Sequence, residues 1–258
     1  MNYWVERSAK AQAALTNKSI KETEKQLKKY YGKSMEKVLG QFEKTYNKVI
    51  LSISEGKEPT PADLYKLDTY WQLQGQMRIE LQKLGDKQIS LLSKEFELLF
   101  SNVYYAFAVP GTELFNTLDT AIVQQMINQI WVADGVSWSQ RVWNNTSKLQ
   151  ETLNEQLIHC VVAGKKTTEL KKLLQEQFGV SYNSADSLVR TEMAHIQTTA
   201  AQKRYEDYGI KEVEVLVDED ERTCPICSKL EGKRVSIHGV MPIPAHPRCR
   251  CSIIPVIE

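Results

Sequence analysis

No run of about 20 apolar residues occurs in the chain, so no membrane-spanning helix and no membrane anchor are expected. The N-terminus, MNYWVERSAK, has no continuous apolar core, which excludes a secretory signal of the usual kind. Net charge is only +1, and that removes the global polyelectrolyte pattern of a nucleic-acid coat. No internal repeat or low-complexity tract stands out. Cysteine is scarce, with five in 258 residues. A chain of this kind is expected to be made in the cytosol and to keep its cysteines reduced, so clustered cysteines there point to metal before disulfides. Four of the five do cluster, in TCPICSKLEGKRVSIHGVMPIPAHPRCRC, residues 223–251.

What is present is mostly helical pattern. Leu27, Tyr31, Met35, Val38, Phe42, Tyr46, Val49 and Ile53 step by 4, 4, 3, 4, 4, 3, 4, which keeps one apolar stripe on one face of a long helix. That repeat of eleven residues keeps the stripe nearly straight or drifting right-handed. A lone helix cannot bury such a stripe, so it must pack against the next helical region or against a partner. Pro59 and Pro61 in EGKEPTPADL end the pattern and start another. A second helical region is expected from Ala62 to Phe107, weakened at Gly75 and Gly85 and ended by the VPG at 109–111. A third is expected from Thr112 to Val132. Ser137 with Gln140 reads as a capping box opening a helix that carries Val142, Leu149, Leu153, Leu157, Cys160 and Val161 and closes at Gly164. A short helix over Thr168–Phe178 should close at Gly179, and another over Asn183–Tyr208 at Gly209. Then the grammar changes. VEVLV (213–217), KRVSI (233–237) and CSIIPVI (251–257) read as strands, with Pro255 confining the last to a sheet edge. The fold class is mainly α. An elongated helical body over 1–135 is followed by 136–258, in which helices over 137–208 lead to a small α+β zinc-stapled module over 210–258 with a core of its own.

In that module Cys224-x2-Cys227 has the spacing of a metal-binding knuckle, and His246-x2-Cys249-x-Cys251 follows. Five candidates compete for the four tetrahedral positions of a closed zinc site. Cys224, Cys227, His246 and Cys249 come first, with Cys251 in place of His246 close behind. Several thiolates make zinc a poor Lewis acid, and neither H-E-x-x-H nor H-x-E accompanies the cluster. A structural zinc is therefore expected, supplying much of the stability of a small module. Cys160, on the apolar face of its helix, reads as a packing residue.

Two other patterns carry chemistry-bearing groups. In SLVRTEMAHIQTTA (187–200), Glu192 and His195 share a helix face and Arg190 and Glu192 do not. An acid/base pair is one reading; with no nucleophile in view, structural anchoring by Arg190 and Glu192 is the other and the expected one. Residues 1–55 hold eleven Lys and Arg against six Glu. The surface bearing Lys21, Lys25, Lys28, Lys29 and Lys33 is either simply solvated or a contact face for nucleic acid or an acidic partner.

The blocks SWSQRVWNN, ADSLVRTEMAHIQTTAAQKRYEDYG, DEDERTCPICSKLEGKRV and PIPAHPRCRCSIIP, in that order over 137–257, resemble the phage Mu F-like head morphogenesis family, minor head proteins of tailed bacteriophages. Tyr3, Trp4 and Arg7 resemble the start of its members. The resemblance implies a virion protein and not an enzyme, with Arg190, Glu192 and the cysteine/histidine cluster as fold-defining positions. It also implies binding to the portal, with scaffold or major capsid protein and packaged double-stranded DNA as further partners. Assembly would take place in the host cytoplasm, the final location would be inside the head near the portal, and the role would lie in procapsid assembly and DNA packaging or ejection. Some members lack the first C-x2-C, and some carry an added C-terminal toxin or enzyme domain, which is not expected here because the chain ends at Glu258. Two other readings compete. A stand-alone nucleic-acid-binding zinc module would use the six basic residues of 222–251, although Asp218, Glu219, Asp220 and Glu221 precede them and no aromatic platform is interleaved. A metal-dependent hydrolase would need an open metal position and a nearby carboxylate.

Overall fold

The computed structural model describes residues 3–52, 60–106, 118–218 and 220–257. Its elements are α1 (Tyr3–Ser52), α2 (Pro61–Tyr65), α3 (Asp68–Ala106), α4 (Thr120–Ile127), α5 (Trp138–Val162), α6 (Thr167–Asp207), β1 (Glu212–Leu216), α7 (Pro225–Ser228), β2 (Arg234–Ser236) and β3 (Ser252–Pro255). The chain is thus mainly helical with one small sheet. No helix among the described residues is long and apolar enough to cross a membrane.

Packing forms two compact units, each built from separated stretches of sequence. Unit 1 comprises Met1–Glu24, Leu91–Trp138 and Ser187–Glu258; unit 2 comprises Lys25–Ser90 and Ser139–Asp186. Helices α1, α3 and α6 each give one stretch to each unit.

Unit 2 buries the predicted stripe of α1. Leu27, Tyr31, Val38, Phe42 and Tyr46 are buried, and all but Leu27 join a core with Leu73, Met77, Leu81 and Leu84 of α3, Leu153 and Leu157 of α5, and Leu170, Leu174 and Phe178 of α6. Met35 is partly buried against the same core, while Ile53 and the side chain of Val49 lie outside the described residues. Cys160 belongs to this core, as expected of a packing residue.

Three helix boundaries differ from the sequence reading. The region from Ala62 onward is two helices, because Thr60 caps α2 in a capping box with Asp63 and α2 stops within two turns. Gly75 and Gly85 do not interrupt α3. Gly85 has a packing role: the indole of Trp143 lies over it, and a Cβ there would come within 2.9 Å of Cη2 of that ring. Gly179 does not close a helix either, since α6 runs unbroken through it. Phe178, Ser181, Ala185 and Val189 continue the buried face of Leu170 and Leu174 in phase. Burying one Leu or Phe stabilises by about 1.5–3 kcal/mol, which outweighs the roughly 1 kcal/mol cost of a mid-helix glycine. Gly164 and Gly209 do close helices. Each has positive φ, 58° and 73°, and each is followed by a bond that closes the last turn, Lys165 N–H to Cys160 O (2.9 Å) and Ile210 N–H to Tyr205 O (3.0 Å). The expected VPG terminus and the start at Thr112 lie outside the described residues; of the third region, α4 is seen.

Unit 1 holds the sheet, antiparallel in order β2-β1-β3. Val213 pairs with Val235 on one side and with Pro255 on the other, so Pro255 sits in an edge strand, where its missing N–H is tolerated. The sheet is not a separate core, contrary to expectation. Gln202 of α6 donates to Ile237 O (2.6 Å) and Tyr205 donates to Ile253 O (3.3 Å), and Ile254 packs with Ala9 of α1. Three short strands have too little apolar surface to stand alone, and the long helices supply the rest.

Candidate metal centre

Cys224 is the N-cap of α7. Its Sγ accepts the backbone N–H of Cys227 at 3.3 Å, and Pro225 at the first helical position loses no bond. The single turn that follows swings Cys227, which is buried, to the same side. The second half-site comes from the loop before β3. Arg248 has φ 63°, in the left-handed region, and turns the chain between His246 and Cys249. Its N–H bonds Thr191 Oγ1 of α6 at 3.0 Å, which ties the loop to the helix carrying Arg190 and Glu192.

These pieces converge. Cys224, Cys227 and His246 place their ligand atoms within 4.8 Å of one another, as do Cys227, Cys249 and Cys251. Cys227 belongs to both groups. His246 Nε2 lies 3.1 Å from Cys224 Sγ and 3.0 Å from Cys227 Sγ. Its Nδ1 is 2.8 Å from the carbonyl of Pro247. A carbonyl only accepts, so Nδ1 carries the proton and the lone pair of Nε2 points at the sulfurs. The Cys227 and Cys249 sulfurs are 3.8 Å apart; for metal–sulfur bonds of about 2.3 Å, a tetrahedral edge is about 3.8 Å.

Protonation is divided unevenly among the thiols. The backbone N–H of Cys227 lowers Cys224. A hydrogen bond from Cys251 brings Cys249 down to about 5, and the same bond pushes Cys251 well up. Burial pushes Cys227 up to about 12. The hydrogen bond to Pro247 O raises His246. Cys249 is thus poised as a thiolate, and Cys224 is shifted in the same direction, beside an imidazole whose nitrogen is correctly aimed. This donor set can hold a soft divalent ion.

A pocket lined by Asp218, Arg222, Thr223, Arg248 and Arg250 opens on Cys224, Cys227, His246 and Cys251. Arg250 reaches Asp218 (2.6 Å) and Asp220 (2.5 Å), and Arg222 also pairs with Asp220 (2.9 Å). Asp220 is held far below the usual carboxylate range, chiefly by Arg250. Asp218 and Asp220, two acids of the run before the knuckle, therefore clamp the loop between β1 and α7 through Arg222 and Arg250, a role the sequence did not reveal.

Arg190 and Glu192 take different partners, on opposite sides of α6. Arg190 pairs with Glu24 of α1. Glu192 is buried and accepts the indole N–H of Trp131 at 2.9 Å. The same indole stacks on His195, with centroids 4.4 Å apart and planes at 12°. Burial pushes His195 down to about 4. Trp131 and Glu24 had no local signal in the sequence; they lie 61 and 166 residues from their partners. Lys21, Lys25, Lys28, Lys29 and Lys33 are all exposed on α1, away from the cysteines in sequence and joined to them by no contact described.

Over 144 residues, 48% of this chain, the sequence is 26% identical to the NAD(+)--arginine ADP-ribosyltransferase EFV of Enterococcus faecalis (strain ATCC 700802 / V583). The match spans only 29% of that relative's length. No solved structure matches. The family model described as phage Mu protein F like protein matches residues 151–254, a stretch that contains Arg190, Glu192 and the whole cysteine/histidine cluster.

Proposed function

We propose that the protein is a minor head protein of a tailed bacteriophage. It binds the portal, with scaffold or major capsid protein as further contacts, and acts in procapsid assembly and in DNA packaging or ejection. The family match over 151–254 carries this reading. On this reading the head-morphogenesis domain spans 136–258, preceded by a helical region over 1–135, and the protein resides inside the head near the portal. The exposed lysines of α1, Lys21, Lys25, Lys28, Lys29 and Lys33, are its contact face for packaged DNA or an acidic partner. The relative's transferase activity is not carried over, because the match covers 29% of that protein; the shared part is non-catalytic on this reading.

Within that role, the cluster holds one structural zinc through Cys224, Cys227, His246 and Cys249, with Cys251 as the hydrogen-bond donor to Cys249. The aim of His246 Nε2 and the Cys227–Cys249 spacing of 3.8 Å support this set. Four filled positions leave none for substrate, which disfavours the hydrolase reading. The stand-alone nucleic-acid reading is disfavoured because Arg222 and Arg250 are engaged by Asp218 and Asp220. Co-expression with the portal protein of the same phage tests the function: the two should copurify and enter procapsids together. Retention of neither association, together with salt-sensitive DNA binding or substrate turnover by the isolated chain, would replace it with one of the other readings.

A further inference from the structure

The cysteine cluster contains two three-ligand groups that differ in chemistry. Cys224, Cys227 and His246 form one, with two sulfurs and a nitrogen; Cys227, Cys249 and Cys251 form the other, with sulfur alone. The all-sulfur group is the buried one. Its three residues are each 4% exposed, while Cys224 and His246 are partly exposed. The zinc set proposed above uses Cys249 but leaves Cys251 outside the metal shell. Cys251 is nonetheless within reach of solvent, since with Cys227 it lines the pocket bordered by Asp218, Arg222 and Arg250. Three sulfurs suit a different ion from zinc. Zinc in a closed site takes four ligands, and this group offers three. Soft monovalent ions, copper(I) above all, select thiolates and are satisfied by three sulfurs in a plane. With metal–sulfur bonds of about 2.3 Å, the edge of such a triangle is about 4.0 Å. The Cys227–Cys249 separation of 3.8 Å is close to it, and all three sulfurs lie within 4.8 Å of one another.

We infer that Cys227, Cys249 and Cys251 are a second metal position, selective for copper(I), which competes with the zinc position because both use Cys227 and Cys249. Copper(I) draws Cys251 in as a thiolate, and the thiol proton passes to solvent. Cys224 and His246 lose their metal bonds, and zinc departs as the hydrated dication. No oxidation state changes. The cluster exchanges one ion for the other and does not hold both. The competition rests on the zinc reading of the same cluster; the copper position itself does not.

Titration of the full chain tests it. The protein is purified with its zinc, kept free of oxygen and titrated with copper(I) as the acetonitrile complex. Released zinc is read with a colorimetric chelator, and the copper shell by X-ray absorption. About one copper should bind per chain, with three sulfurs and no nitrogen around it, and about one zinc should leave. Imidazole nitrogen in the copper shell, or zinc that stays while copper binds, would overturn the inference. Cys251→Ser should lower the copper-for-zinc exchange constant about a hundredfold, and His246→Ala should raise it. An exchange constant that Cys251→Ser leaves unchanged contradicts the proposal. The wild-type copper shell decides the matter by itself where a variant folds poorly. Folded wild type without zinc would sink the zinc reading alone, because the three-sulfur copper shell is measured on the same sample.

Discussion

Cys227→Ser is the sharpest perturbation of the proposed zinc site. Cys227 is buried and its sulfur belongs to both ligand groups, 3.0 Å from His246 Nε2 and 3.8 Å from Cys249 Sγ. A serine hydroxyl stays protonated near neutral pH and does not replace a thiolate. Structural zinc sites of four ligands contribute roughly 10–16 kcal/mol, so losing one ligand forfeits about a quarter, on the order of 3–4 kcal/mol. That is a large share of the net stability of about 5–15 kcal/mol that a domain has. The loss should not stop at the sheet. Gln202, Tyr205 and Thr191 of α6 bond to Ile237 O, Ile253 O and Arg248 N–H, so destabilisation should spread into the second half of α6. The assay is hydrogen exchange combined with zinc analysis of protein purified without chelator. Wild type should carry about one zinc. The variant should carry little, with protection lost over 211–257 and reduced over 188–207, and unit 2 much less affected. Cys160→Ser, placed in the unit 2 core, is the control and should leave the zinc content unchanged. Wild-type zinc below about a tenth of an equivalent in folded protein, or Cys227→Ser with full zinc and full protection, would refute the reasoning.

Arg190→Ala should cost only about 0.5–1 kcal/mol, because the Arg190 and Glu24 side chains are 37% and 23% exposed and water screens the pair. Melting should fall by a few degrees and Glu24→Gln should mimic it; a double variant losing the full sum of both effects would show that the two do not act as a pair. His195 is pushed down to about 4 from 6.5, so the unfolded chain takes up its proton first as pH falls. Stability should therefore be full above pH 6.5 and decline toward pH 4, by about 3 kcal/mol in all. His195→Phe, which keeps a ring against Trp131, should remove that decline in denaturation midpoints measured across the range; an unchanged slope assigns it to other groups. Gly85→Ala should destabilise by about 1–3 kcal/mol, since its methyl meets the indole of Trp143, and Trp143→Leu in the same chain should recover most of the loss in melting temperature.

What the sequence showed and what it hid separate along a physical line. The stripe on α1 was legible because its contacts repeat at the helix period, and the face that must be buried is written in one stretch of residues. The knuckle was legible because Cys224 and Cys227 reach one point through local geometry, with Cys224 capping the very turn that carries Cys227. Gly179 misled because local propensity favours a stop there, while the burial that overrides it comes from residues of other helices. Arg190 and Glu192 drew attention as a motif, but their partners Glu24 and Trp131 are distant in sequence, and no local rule selects them. The expectation of a separate core for the C-terminal module failed for the same reason, since the residues that complete that core sit on α1 and α6.

Charge placement sharpens where an acidic partner would bind. The stretch 222–251 counts six basic residues, but Arg222 and Arg250 are held by Asp220 and Asp218, and Arg234 reaches Glu214 at 3.2 Å. The acids that neutralise them lie just outside the stretch, so a count within it overstates its field. On α1 the position is different. Lys18, Lys21, Lys25, Lys28, Lys29 and Lys33 are all exposed and occupy about 22 Å of helix at 1.5 Å per residue. A row of that length spans several phosphates of duplex DNA, which carries one charge per about 1.7 Å of axis. Arg222, Arg234 and Arg250 of the cysteine module are engaged by acids of the same module, so on the proposed function the exposed lysines of α1 are the surface offered to DNA or an acidic protein.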